Sequence, residues 1–120
     1  MERLNPFNKA TIGGVTRSEY KIKEGTLLTI ASPTNLVIGT SKVIFRFEEF
    51  KDPADLFKIK DIMQGAVRKN LTEMPEKNLE MQAYAADNLS RYDITIVGVP
   101  SYKNDELIGM VVDLISAALK

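Results

Sequence analysis

The C-terminal segment, residues 104–120, shows two apolar stripes where a surface helix usually shows one. Asn104 is expected to cap this helix, and acidic residues follow in its first turn, where the helix dipole favours them. Wound with the period of an α-helix, the first stripe is Leu107, Val111, Leu114 and Ala118, and the second is Ile108, Val112, Ile115 and Leu119. Two adjoining stripes indicate burial on two sides. One side would be the chain's own core, and the other would be a further element of the fold or a second copy of the chain.

The first half of the chain alternates between short apolar runs and turn residues, which predicts strands. Strands are expected over residues 20–23, 26–31, 36–38 and 42–48, with a tight turn or a bulge at Gly13-Gly14 and turns at Glu24-Gly25 and residues 32–35. In the last of these strands Val43, Phe45 and Phe47 share one face, because successive side chains of a strand alternate. These segments predict an antiparallel meander with one core face.

The second half predicts three helices and one strand. The first helix starts at Asp52 as its cap with Pro53 in its first position, and its apolar stripe includes Leu56, Ile59 and Met63. A second helix is expected from about Thr72, with the apolar side Leu79, Ala83, Ala86 and Leu89. Residues 93–99 predict an interior strand in which Gly98 marks a bulge or a close approach of another backbone. The C-terminal helix completes the order.

This order predicts a single α+β domain over residues 1–120. It contains an N-terminal antiparallel β-meander, then two helices, one further strand and a C-terminal helix, packed on one face of the sheet. Residues 1–9 are a candidate flexible N-terminal arm. The expected core consists of Phe45, Phe47, Leu56, Ile59, Met63 and Ile96.

Composition excludes several classes of function. The 16 basic and 16 acidic residues give no net charge, so a nucleic-acid partner is not indicated. The absence of Cys and His removes disulfides, thiolate and imidazole metal sites and the commonest general base. No cofactor is indicated. The start of the chain lacks the apolar run of a signal peptide, and the C-terminal helix is too short to cross a bilayer, which predicts a cytoplasmic protein without membrane contact.

The loop before the C-terminal helix is the best candidate for ligand binding. Ser101, Tyr102, Lys103 and Asn104 would lie at the end of an interior strand, beside the free N–H groups of a helix N-terminus, which favour anions. Asp105 and Glu106 oppose this interpretation, because they already occupy the positive end of the helix dipole. An ordinary connecting loop is the alternative.

Other clusters have ordinary structural explanations. Glu48, Glu49, Asp52 and Asp55 could hold Ca²⁺ or Mg²⁺, but their spacing matches no calcium loop and fits a solvated strand end before a capped helix. Phe45, Phe47 and Phe50 could form an aromatic platform for nucleic acid, but core packing explains the first two better. Asp113 lies on the only polar strip of the last helix, with Gly109 and Ser116, and is expected to form a solvent-exposed margin. If the helix is enclosed on all sides, Asp113 must instead be paired or hydrogen-bonded, because an unpaired buried carboxylate is too costly.

These observations favour a small non-enzymatic assembly or adaptor protein that self-associates, most simply as a two-fold dimer. The predicted oligomer interface is Leu107, Ile108, Val111, Val112, Leu114, Ile115 and Leu119. The first alternative is a regulatory domain that binds a small anionic molecule such as a nucleotide near residues 101–104 or between subunits. The second is an enzyme that uses carboxylates, for which no residue can be named.

Overall fold

The structure is a computed structural model that describes residues 4–23, 25–33, 40–49, 52–68, 79–86, 89–100 and 103–119. Its elements are six strands and two helices. In chain order they are β1 (Asn8–Ile12), β2 (Val15–Lys23), β3 (Thr26–Pro33), β4 (Thr40–Glu48), α1 (Pro53–Arg68), β5 (Leu79–Ala86), β6 (Leu89–Pro100) and α2 (Asn104–Leu119).

The strands form one sheet in the order β1-β2-β3-β4-β6-β5, and every neighbouring pair is antiparallel. The first four strands follow each other as a meander, as the sequence predicts. After α1 the chain forms the β5–β6 hairpin, in which β6 pairs with β4 and β5 becomes an edge strand. The α+β class is therefore confirmed.

Two glycine positions shape the sheet. Gly13 and Gly14 connect β1 to β2 with φ angles of 62° and 77°, and two consecutive positive φ angles are those of a type I′ hairpin turn. Gly98 has a φ of 78° where the β4–β6 register shifts between the pairs Val43–Ile96 and Ser41–Val99. The tight turn and the bulge predicted from these glycines are confirmed.

The core lies between one face of the sheet and both helices, which pack against each other. Of the six residues expected there, Phe45, Phe47, Ile59, Met63 and Ile96 have no exposed surface, whereas Leu56 is only half-buried. The remaining core side chains come from the same face of β2, β3, β4 and β6 and from the inner side of α2. Both helices thus cover one face, and the other face of the sheet, which we call the open face, has neither described helix on it.

The predicted second helix is wrong where the structure describes it. Residues 79–86 form β5 and Leu89 begins β6, while residues 72–78 lie outside the described residues. Leu79, Ala83 and Ala86 fit a helical period, but Leu79, Met81 and Ala83 also alternate with polar residues as in a strand. Pairing with the twelve-residue β6 decides between the two patterns, and this contact is not local in the sequence.

The other elements agree with prediction in part: β2 begins at Val15 and not at Tyr20, β1 was not predicted, and the start of α1 is as expected. Asp52 caps α1, since its Oδ1 accepts a hydrogen bond from the Ala54 backbone N–H at 2.9 Å, and Pro53 is the first residue of the helix. In the candidate arm, Leu4 packs against the core, and Asn8 and Lys9 belong to β1. The predicted strand 36–38 lies outside the described residues. None of the described helices is long and apolar enough to cross a membrane.

Candidate interaction surfaces

The predicted ligand-binding loop is only partly described. Ser101 and Tyr102 lie outside the described residues, Lys103 is half-buried, and Asn104 is the first residue of α2. Asn104 is only 4% exposed and so lies on the inner side of the helix, where a ligand in solvent cannot reach most of its surface. Asp105 and Glu106 are exposed in the first turn and disfavour an anion there. Anion binding at this loop stays a prediction.

Most residues of the predicted oligomer interface lie on the inner side of α2, where the single chain already buries them. Five of its seven residues belong to the buried core of the single chain: Leu107, Val111, Val112, Ile115 and Leu119. Ile108 is half-buried against the same core, and Leu114 is 39% exposed. One broad inner arc of α2 therefore contains members of both apolar stripes. Leu114 is the member of the predicted set with the largest exposed surface.

The outer arc of α2 is also apolar. Met110 is half-buried. Leu114 follows it one helical turn later, Ala117 and Ala118 follow two turns later, and these three residues are exposed. Sequence reasoning missed Met110 and Ala117, although both lie at helical spacing from Leu114. We call Met110, Leu114, Ala117 and Ala118 the outer α2 strip. The outer side of α1 adds Phe57, which is 68% exposed and lies opposite the buried Ile59 and Met63 side.

The polar strip of α2 is less exposed than expected. Gly109, Asp113 and Ser116 are all half-buried, and the Oδ1 atom of Asp113 has no contact with solvent. Asp113 also takes part in a polar or electrostatic interaction within the chain. The strip is therefore an intermediate zone and not a fully solvated margin.

The open face of the sheet contains an ion-pair cluster on β4 and β6. Arg46 and Asp93 are directly opposite each other, and the guanidinium donates two hydrogen bonds, from Nε to Oδ1 at 3.0 Å and from Nη2 to Oδ2 at 3.3 Å. Arg91 Nε lies 3.9 Å from the same Oδ1. Asp93 keeps 13% of its side chain exposed, so the two arginines hold its charge largely away from water.

A second ion pair joins the sheet to α1. Lys23 Nζ donates a hydrogen bond of 2.8 Å to Oδ2 of Asp55, a residue that is 2% exposed in the first turn of α1. This hydrogen bond raises the pKa of Lys23 above its ordinary value, and the charges of Asp55 and Asp52 act in the same direction against partial desolvation. The Oδ1 atom of Asp55 is buried without a hydrogen bond. The sequence suggested Asp55 only as a first-turn acid, and its partner could not be found without the fold.

Metal binding has no support in the described part of the chain, where no group of three or more acidic side chains is placed to share an ion. Glu48, Asp52 and Asp55 are instead divided between the open face, the cap of α1 and the Lys23 ion pair. In comparisons with models of protein families and with curated proteins, the chain matches none of them. Function must therefore be argued from the surfaces themselves.

Proposed function

We propose that this chain is a non-enzymatic assembly protein that self-associates through the outer side of α2. The observation that supports this proposal is the outer α2 strip, Met110, Leu114, Ala117 and Ala118. Folding of the single chain already buries the inner arc of this helix. It leaves Leu114, Ala117 and Ala118 facing solvent, whereas Met110 is half-buried against the core at one end of the strip. Burying such an arc against another apolar surface is favourable at roughly 25 cal/mol per Å².

The partner that fits best is a second copy in a two-fold arrangement, with the two α2 helices antiparallel and Leu114 near the axis. Ala117 and Ala118 allow the two helices to approach closely, because the distance between packed helices depends on the side chains at the contact. Antiparallel helices also place opposite dipole ends together. Since the chain has no net charge, two copies do not repel each other strongly.

The expected dimer exchanges with the monomer. A stable interface buries about 800 Å² on each partner, and four side chains of this size supply only part of that area. Phe57, on the outer side of α1, is a further exposed apolar side chain of the helix layer. We therefore expect the oligomer to form as protein concentration rises and to dissociate on dilution.

Sedimentation velocity over a wide concentration range tests this proposal. The weight-average mass should rise from 13.4 kDa towards twice that value, and Leu114→Glu should keep the chain at 13.4 kDa. Ile12→Glu is the matched control, since Ile12 is 80% exposed at the β1–β2 turn and should not affect association. A wild-type mass of 13.4 kDa at every concentration contradicts the proposal, and so does an equal effect of the two substitutions.

The ligand-binding alternative has a separate readout. Native mass spectrometry of gently purified protein reports the subunit count and any retained small molecule in one spectrum. A reproducible extra mass on a monomer would favour the regulatory domain over the assembly protein. No described contact favours it at present, because Asn104 belongs to the inner side of α2 and two acidic residues follow it.

A further inference from the structure

The absence of net charge in the sequence conceals an uneven distribution on the sheet. Among the open-face residues whose side-chain exposure is described, the exposed charged ones are Arg17, Lys21 and Lys42, and all three are cations. On β2, β4 and β6 the carboxylates of the same face, Glu19, Glu48 and Asp93, are half-exposed, and on β5 Glu80 is paired with Thr95. On β2 and β4 the exposed charges of this face are therefore positive.

An apolar side chain lies among these cations. Ile44 is 37% exposed, and its neighbours across the sheet are Ala31 on β3 and Thr95 on β6. Along β4 the residues two positions away on the same face are Lys42 and Arg46. Arg17 is paired with Ala31 and so lies one strand further out. Three cationic side chains thus surround an isoleucine whose two lateral neighbours, alanine and threonine, are small.

The nearest carboxylate is already neutralised. Asp93 accepts two hydrogen bonds from the Arg46 guanidinium, and Arg91 Nε lies 3.9 Å from its Oδ1. Such bidentate pairs are among the stronger charge-assisted contacts. Asp93 therefore does little to offset the field of Arg17 and Lys42 near Ile44, and the fixed Arg46 side chain shapes one wall of the area.

We propose that the area formed by Arg17, Lys42 and Ile44, which we call the cationic sheet face, docks an acidic protein partner. The partner would pack an apolar side chain beside Ile44 and place carboxylates opposite Arg17 and Lys42. Arginine is enriched at protein interfaces, and complementary charge raises both the association rate and the selectivity for a partner. Both helices lie on the other face of the sheet, so this interaction does not depend on self-association through α2.

A protein fits this surface better than nucleic acid does. Glu19 and Glu48 interrupt the cations of the open face, so a continuous phosphate backbone meets both signs of charge, whereas a protein can place its carboxylates opposite the cations alone. Nucleic-acid surfaces also offer aromatic rings for stacking, but the ring of Phe7, at the β1 side, lies under Lys21 Nζ at 5.5 Å from its centroid. The exposed isoleucine requires an apolar contact, which an acidic protein segment with one leucine provides.

The test uses fluorescence anisotropy with a labelled synthetic peptide rich in glutamate with one central leucine. Two control peptides replace every glutamate by glutamine or the leucine by serine. The wild-type protein should bind the first peptide best, and binding should weaken with salt. The double variant Arg17→Glu/Lys42→Glu should bind it at least about tenfold more weakly. The matched control is Lys58→Glu/Lys60→Glu, which makes the same charge change on exposed positions of α1 and should bind as the wild type does.

Ile44→Ser separates the apolar contact from the charges. It should weaken binding of the leucine peptide and leave binding of the serine peptide unchanged. Circular dichroism and thermal melts check that each variant folds, and Lys42→Gln, a milder change, replaces the double variant if that one does not. Equal binding of the glutamate and glutamine peptides contradicts the proposal, as does an equal loss in the α1 control. Tighter binding of a single-stranded oligonucleotide or of anionic vesicles, lost in the same double variant, would overturn the protein partner in favour of that class.

Discussion

On β4, Phe45 and Phe47 lie beneath the two helices with no exposed surface, while Ile44 and Arg46 belong to the open face and keep more than a third of their side-chain surface exposed. The backbone of the strand is the same for all four residues, because successive side chains of a strand point to opposite faces. What differs is the cover above each face. The helices remove water from one face, and no described helix does so on the other.

This difference separates two consequences of mutation. A change on the core face removes packing that folding has already gained, so it should appear in the free energy of unfolding. A change on the open face removes a group that remains partly in water, so it should appear mainly in binding to a partner. The predictions below test whether the two faces of the same sheet are as independent as this comparison requires.

The largest effect is expected from Phe47→Ala. This substitution leaves a cavity beneath the helices and should reduce the free energy of unfolding by about 3–5 kcal/mol, as large core truncations do. Ile44→Thr, on the same strand, should cost less than about 1 kcal/mol because its site is 37% exposed. Urea denaturation of both variants gives the two values. Similar losses would show that the open face is covered in solution.

Gly98→Ala tests how the bulge in β6 keeps the residues on either side of it on the core face. The bulge at Gly98 lets Ile96 and Val99 both remain buried although they are three positions apart. Because Gly98 has a φ of 78°, alanine at this position should cost about 1–3 kcal/mol of stability. Gly13→Asn is the control, since Gly13 also has a positive φ, open space surrounds it, and asparagine tolerates this conformation. Thermal melts in which both variants lose the same stability would contradict the argument.

Burial could be predicted from the sequence where a strand has one apolar face and one polar face. Phe45 and Phe47 alternate with polar or solvent-facing residues, so their burial could be predicted from the period alone. The starts of α1 and α2 were equally readable, because caps and first-turn acids are local signals. At residues 79–89 the period predicted a helix where the chain forms strands, since the alanines and leucines of this segment fit both a helical period and a strand period. Only pairing with β6 distinguishes them.

The candidate surfaces were harder to predict than the fold. Both apolar stripes of α2 could be identified from the sequence. The sequence alone does not show which apolar residues of the helix face the core, because the position of the sheet decides which side is buried. The cations of the open face lie far apart in the chain. Arg17 and Lys42 come into one area only through the β2-β3-β4 order, which no local pattern specifies.

A smaller effect is expected from the ion pair on the open face. A double-mutant cycle of Arg46→Met and Asp93→Asn should give a coupling free energy of about 0.5–1 kcal/mol, because 39% of the Arg46 side chain remains exposed. The coupling should decrease as salt is added. A value of several kcal/mol, independent of salt, would mean that this pair is buried in solution and that a partner or another copy covers the open face.

The smallest effect is expected from Lys23. A β-bulge places its side chain on the opposite face of the sheet from that of Lys21. The β2–β3 register shifts between Lys21 and Lys23, so Lys21 remains on the open face while Lys23 is paired with the buried Thr26 and reaches Asp55 on the helix side. The hydrogen bond from Lys23 to Asp55 raises the pKa of Lys23 above its ordinary value of 10.5. The folded state therefore holds this proton more tightly than the unfolded state does.

The resulting stabilisation is fully present below pH 10.5 and is lost as the pH rises through the raised pKa of Lys23. A double-mutant cycle of Lys23→Met and Asp55→Asn, measured by urea denaturation at a series of alkaline pH values, isolates this contribution. The coupling should be constant up to about pH 10 and then fall towards zero, since the neutral amine no longer pairs with the carboxylate. It should remain modest and sensitive to salt, because Lys23 keeps 38% of its side chain exposed. A coupling that persists at the highest pH would mean that packing, and not charge, holds the β2–β3 turn against α1.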